Sequence, residues 1–202
     1  MKQMIIVHFI AQIVVEIGYM DGHAPSQEDL DVLEAYYIQL GYHRAEFHLD
    51  DVVPYVYEFD LSTDGVTPSQ QYYDYENAYR NPNSDPRWQW MLCLHCISFG
   101  GKRVTFWGAY WDGYGIFIHD QCLIDLYWEY LALVSLSAWR QTTILHEYGH
   151  HLNIVDRNTD GKERYCSNNG CAMTGGNLIF PTNVKEYPWY CEHHRSEHRW
   201  ID

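Results

Sequence analysis

Between Ala138 and Leu152 two periodicities overlap, and together they leave the chain little choice but an α-helix. Ala138, Gln141, Leu145, Tyr148 and Leu152 recur at steps of three and four residues, the spacing of one buried helical stripe. Beside that stripe runs His146-Glu147-Tyr148-Gly149-His150. Positions i and i+4 share a helix face, so the two imidazoles can meet one zinc ion. Glu147 lies about 100° round the helix from His146, where it can touch water at the metal without ligating it. With 12 histidines in 202 residues, an H-E-x-x-H run arises by chance in about one such chain in twenty-five. The pattern therefore needs support from residues further along the chain.

Two helical ligands call for a third protein ligand, with one position left open for water. Asp156 lies ten residues after His146. A helix that stops near Leu152 and reverses sharply returns Asp156 to the metal. Asn153 stands where the reversal needs a left-handed residue, a conformation Asn tolerates better than other non-glycine residues. Asp160 is the alternative third ligand, and a solvated loop acid is the plain reading of either.

The rest of the chain reads as a layered α/β arrangement. Ile5 to Ile17 is apolar and β-rich, as in a strand covered on both faces. His8, Gln12 and Glu16 interrupt it and no small-residue cleavage site comes after it, which favours a strand over an export signal. Ser26 caps a helix running to about Leu40, with Glu28 and Asp29 in its first turn and Gly41 at its end. Arg44 to Leu49 and Tyr55 to Leu61 look like strands, Gln70 to Tyr79 like a short helix, and Asn81 to Pro86 like a loop. Trp88 to Ser98 and Val104 to His119 read as two further strands, the second an irregular edge strand broken by glycines. A long helical region starts near Gln121 and divides at Ser135 to Ser137. The apolar run from Leu123 to Ala138 holds Asp125 and Glu129 and is shorter than the ~20 residues a bilayer crossing needs, so it is a buried helix.

Composition excludes several functions. Hydrophobic residues make up 47% of the chain, enough for a core. A formal net charge of -14 argues against nucleic acid and against anionic membrane surfaces, both of which are held by Lys and Arg clusters. The six cysteines, without an export signal, point to metal ligation before disulfides. Cys93-x2-Cys96 on a strand would face opposite sides, so these two read as buried thiols, and Cys122 and His119 as structural. The aromatic stretch Phe106 to Tyr114 suits a core and, less well, a substrate groove.

From His146 to Asp156 the chain resembles the metzincin metallopeptidases, whose motif is H-E-x-x-H-x-x-G-x-x-H/D. Asn153 stands in place of the glycine. Asp156 stands in place of the commoner histidine, as in snapalysin-like members. Further on it resembles the archaemetzincins, which carry C-x4-C-x-M-x17-C-x2-C after the third ligand. Here Cys166-x4-Cys171-x-Met173 is followed by seventeen residues, Cys191, two residues and His194. Only the last cysteine is changed, and Cys3His is a common structural zinc set. The segment Arg157 to Tyr165 is inserted relative to the family and carries the turn signal Asp160-Gly161. The resemblance implies that Cys166, Cys171, Cys191 and His194 hold a second, structural zinc, and that Met173 forms the Met-turn beneath the catalytic metal. His193 and His198 compete with His194 as fourth ligand.

The expected fold is α/β (α+β) and zincin-like, of the metzincin kind: a mixed twisted sheet, an active-site helix and an irregular C-terminal part. One domain spans 1–202, with 1–152 holding the sheet and the active-site helix (about 139–152), and 153–202 holding the Met-turn and second zinc site. Two zinc ions are expected per chain, the catalytic one on His146, His150 and Asp156. The expected chemistry is peptide hydrolysis with Glu147 as general base. Tyr187 and Tyr190 are candidates for stabilising the oxyanion, and an edge strand within Val104 to Ile118 for pairing with a peptide. A peptide or protein is the expected substrate, nucleic acid and membrane are not expected partners, and the expected location is cytoplasmic. A non-catalytic zinc protein and a zinc hydrolase of another amide bond are the rivals.

Overall fold

A computed structural model describes residues 12–80, 89–129, 135–152, 154, 156–157, 163–164, 166, 171–173 and 190–196. The core is built on β1 (Gln12–Met20), with α1 (Gln27–Gln39) returning the chain to β2 (Arg44–Val53) alongside it. Ser26 caps α1, and the reciprocal bond from its backbone N–H to Asp29 completes a capping box. β3 (Phe59–Ser62), α2 (Gln70–Tyr79) and β4 (Gln89–Leu94) come next, then β5 (Ile97–Phe99) and β6 (Lys102–Arg103). β7 (Gly108–Trp111) and β8 (Gly115–His119) lead into α3 (Asp120–Glu129) and α4 (Leu136–His151). Two short strands, β9 (Asp156–Arg157) and β10 (Glu163–Arg164), and a helical turn, α5 (Glu192–Ser196), complete the described elements.

The main sheet has the order β2-β1-β4-β8-β7. β2, β1, β4 and β8 are parallel, and β7 is antiparallel at the edge. Side chains alternate across it. Ile13, Val15, Ile17, Met91, Cys93, Ile116 and Ile118 face the α1/α4 side, where they meet Leu33, Tyr37, Leu145 and Tyr148. Met20, Val53, Trp90, Leu92, Leu94 and Phe117 face the other side, against Phe59, Leu61 and Tyr72. A sheet buried on both faces explains why β1 and β4 read as unbroken apolar runs.

Two expected strands are divided. Trp88 to Ser98 becomes β4 and β5, which belong to different sheets. The break falls at His95 and Cys96, whose carbonyls accept from Gln121 and Phe59 instead of continuing a ladder. Val104 to His119 is a hairpin, not one edge strand. Gly113 and Gly115, at φ of 79° and 133°, turn the chain, and the Tyr114 N–H closes the turn on the Trp111 carbonyl. The strand expected from Tyr55 begins only at Phe59. Among the described residues no helix is long and apolar enough to cross a membrane. The segment 1–11, Asn81 to Pro86 and Asn153 lie outside the described residues.

Candidate metal centres

The Ser135 side chain caps α4 by accepting from the Ala138 N–H at 3.1 Å. The helix buries the expected stripe: Ala138, Gln141, Leu145, Tyr148 and Leu152 are all buried. Its first turns are tied down by side chains from elsewhere. Gln141 donates to Asp29 Oδ1 at 2.9 Å, and Ser137 donates to the same oxygen. Arg140 donates twice to Asp120, at 2.7 Å each, and Asp120 also meets His23 Nδ1 at 3.0 Å. Helix position is thus fixed by α1, by the start of α3 and by the turn after β1.

On the adjoining face the two motif histidines converge, with Nε2 of His146 and Nε2 of His150 3.1 Å apart. Two imidazoles on one tetrahedral zinc, with bonds of about 2.05 Å, have nitrogens about 3.3 Å apart. His146 Nδ1 lies 2.7 Å from the Ala172 carbonyl. A carbonyl only accepts, so Nδ1 carries the proton and Nε2 presents its lone pair, the tautomer of a metal ligand. Burial, helped by His150, pushes His146 down to about 4, and burial lowers His150 as well. Both rings are therefore neutral at pH 7, as ligation requires.

Glu147 is also buried, and desolvation raises its carboxyl to about 8, opposed by a backbone hydrogen bond from Tyr110. A nearby dication would favour the carboxylate form. Two glycines make room around this motif. A Cβ at Gly108 would stand 2.7 Å from Glu147 Cγ, and one at Gly149 would run into Met173 Sδ. Met173 is buried beneath the helix, and its carbonyl accepts from the Cys166 N–H at 2.9 Å.

The second group is formed by Cys166, Cys171, Cys191 and His194, all buried, with one ligand atom from each lying within 4.8 Å of all the others. Cys166 Sγ to Cys191 Sγ is 3.8 Å, Cys171 Sγ to His194 Nδ1 is 3.4 Å, and Cys191 Sγ to His194 Nδ1 is 3.1 Å. A tetrahedral ion with bonds to sulfur of about 2.3 Å has an edge of about 3.8 Å, so the donors suit zinc. No disulfide joins any of the six cysteines. His194, at the start of α5, is fully buried, whereas its neighbour His193 is exposed. Burial pushes the Cys171 thiol up, opposed by the Cys191 N–H, which donates to its Sγ at 3.3 Å. The tripeptide Cys171-Ala172-Met173 serves both centres: a sulfur in this cluster, a carbonyl on His146, a thioether under Gly149.

Other expected residues fall elsewhere. The backbone of Asp156 pairs with Arg164 across β9 and β10. Asp160, Tyr187 and His198 lie outside the described residues. Tyr190 is not at the metal face. It is fully buried, donates to the Leu145 carbonyl at 2.7 Å and meets the Tyr37 hydroxyl at 3.2 Å, so its hydroxyl braces α4 from within the core. Cys93 and Cys96 are buried, and neither belongs to a group of three or more candidate ligands among the described residues. Sequence reasoning missed Gly108, Ala172 and the Arg140–Asp120–His23 chain. Only Gly108 left a trace, as a glycine in an aromatic run.

Neither a protein-family model nor a curated protein matches the chain by sequence. In structure it is similar to the zinc-dependent peptidase from Methanocorpusculum labreanum. The superposition has a TM-score of 0.54 at 13% identity and covers 92% of this chain and 100% of that one. The chain therefore has an α+β fold, with a mixed sheet and helices, shared with a zinc peptidase, and it carries a Cys3His cluster suited to a metal ion.

Proposed function

We propose that the chain is a zinc-dependent metallopeptidase of the metzincin type, nearest to the archaemetzincins in motif, and that it hydrolyses peptide bonds of a peptide or protein substrate in the cytoplasm. The observation that carries this reading is the convergence of His146 and His150 at 3.1 Å beside a buried Glu147. A structural metal site has no use for that carboxyl group. The fold shared with a zinc-dependent peptidase supports the same reading.

In this proposal His146, His150 and Asp156 hold the catalytic zinc, with Asp156 assigned on its spacing. Cys166, Cys171, Cys191 and His194 hold a structural one, and Met173 is the Met-turn. Bound zinc supplies the Lewis acidity that polarises a carbonyl and acidifies water. The protein's own residues do the rest. The Ala172 carbonyl holds the proton of His146 on Nδ1. Glu147 accepts a proton from the attacking water and passes it to the leaving amine.

Digestion of a peptide library by zinc-loaded protein, beside a Glu147→Ala control, tests the reading. Cleavage by the native chain and a loss of at least about 100-fold in the control, with zinc content unchanged, is the expected result. A native chain that binds zinc and cleaves nothing would overturn it in favour of a non-catalytic zinc protein, and undiminished cleavage by the control would remove Glu147 as the base.

A further inference from the structure

The ladder between β7 and β8 decides which amides of the edge strand are free. The His119 N–H donates to the Trp107 carbonyl, and Gly108 stands opposite Ile118 and Tyr110 opposite Ile116. In an antiparallel pair, hydrogen-bonded and non-hydrogen-bonded positions alternate. Residues 107, 109 and 111 therefore bond inward to β8, while Gly108 and Tyr110 turn their amides out to the free edge. One of those outward groups, the Tyr110 backbone, lies near enough to Glu147 to lower its carboxyl, against the larger effect of burial. Gly108 lies two residues earlier on the same edge, packed against α4. A Cβ there would lie 2.7 Å from Glu147 Cγ, 2.9 Å from Glu147 Oε1 and 3.0 Å from Thr143 Cγ2.

We infer that Gly108 is a positioning residue for Glu147: its bare Cα gives the Glu147 side chain room to lie against β7, beside the outward-turned Tyr110 amide. The helix fixes the Cα of Glu147, and the setting of its three side-chain torsions depends on what packs against the side chain. Clearance at position 108 and a donor at 110 select one setting. This deepens the metallopeptidase reading and rests on it for its catalytic meaning, although the clamp itself is a property of the folded chain.

The test compares Gly108→Ala with the native protein, both zinc-loaded. We expect unchanged zinc content, a fall in kcat of at least about 100-fold, and KM within about twofold. Two further variants separate a displaced carboxylate from a displaced helix. Removing the methyl by Thr143→Ser in the Gly108→Ala background should restore little activity. Shortening the acid by Glu147→Asp in that background should cost far less than it does in the native chain. A readout that needs no turnover is the Tyr110 amide resonance in NMR, which should move on Glu147→Ala in the native chain and stay still once Ala occupies 108. A Gly108→Ala protein with native kcat, recovery by Thr143→Ser, or a Tyr110 amide blind to Glu147 would each overturn the inference. Absence of any hydrolysis by the native chain would instead defeat the peptidase reading, and the amide experiment would still decide the clamp.

Discussion

Around the His146–His150 pair, single atoms are fixed by backbone more than by side chains. The Ala172 carbonyl sets a tautomer, the Tyr110 backbone lowers a buried carboxyl, and two glycines supply clearance. Gly149 illustrates how little slack remains. Since a Cβ there would collide with Met173 Sδ, Gly149→Ala should destabilise the protein by about 1–3 kcal/mol, read as a lower melting temperature. His119 offers a second test at this scale. Burial pushes it down to about 4 from its ordinary 6.5, and neither ring nitrogen has a hydrogen-bond partner among the described residues. An unfolded chain takes up the proton first, so stability from this residue is complete above about pH 6.5 and lost as pH falls towards 4. Denaturant midpoints measured across that window should decline with acid, and the decline should be shallower in His119→Phe. The i, i+4 histidines and Glu147 were legible in the sequence because helix geometry alone brings them together. Gly108 and Ala172 were not, because each acts through a segment more than twenty residues away in the chain.

Among the described elements, α4 is braced by side chains from α1 and α3. Its cap at Ser135 is local and was readable from the break at Ser135 to Ser137; its long-range ties to Asp29 and Asp120 were not, since nothing in a lone Asp announces its partner. Asp120 is buried and holds the largely buried Arg140 through two hydrogen bonds. Asp120→Ala leaves a guanidinium charge without its partner and should cost about 3–5 kcal/mol in chemical denaturation, well above the about 1 kcal/mol expected for Ser135→Ala. Strand boundaries were harder to read than helix boundaries. The apolar alternation carried on smoothly through His95 and Cys96, while the actual break depends on which neighbours take their carbonyls.

Over the whole molecule, a sheet buried on both faces supports α4 from one side, and the C-terminal segments approach it from the other. A layer of mixed strands with helices was legible from apolar runs separated by helices; the strand order was not, and the stretch read as one irregular edge strand is the β7/β8 hairpin. The Cys3His cluster was legible as a spacing before it was a geometry, because four donors at fixed intervals are rare by accident. On the two-zinc proposal, Cys171→Ser should reduce zinc from two equivalents to one or fewer by atomic absorption, and should lower the melting temperature of the zinc-loaded protein.

Cys171, Ala172 and Met173 are consecutive, and the first belongs to the sulfur cluster while the second and third touch the helix. On the two-zinc proposal, assembly of the cysteine cluster would anchor the carbonyl that prepares His146 and so would order metal uptake. Titrated with cobalt, the apoprotein should develop its sulfur-to-metal charge-transfer band during the first equivalent and acquire hydrolytic competence only during the second. A protein whose activity rises before that band would have helix and cluster filling independently.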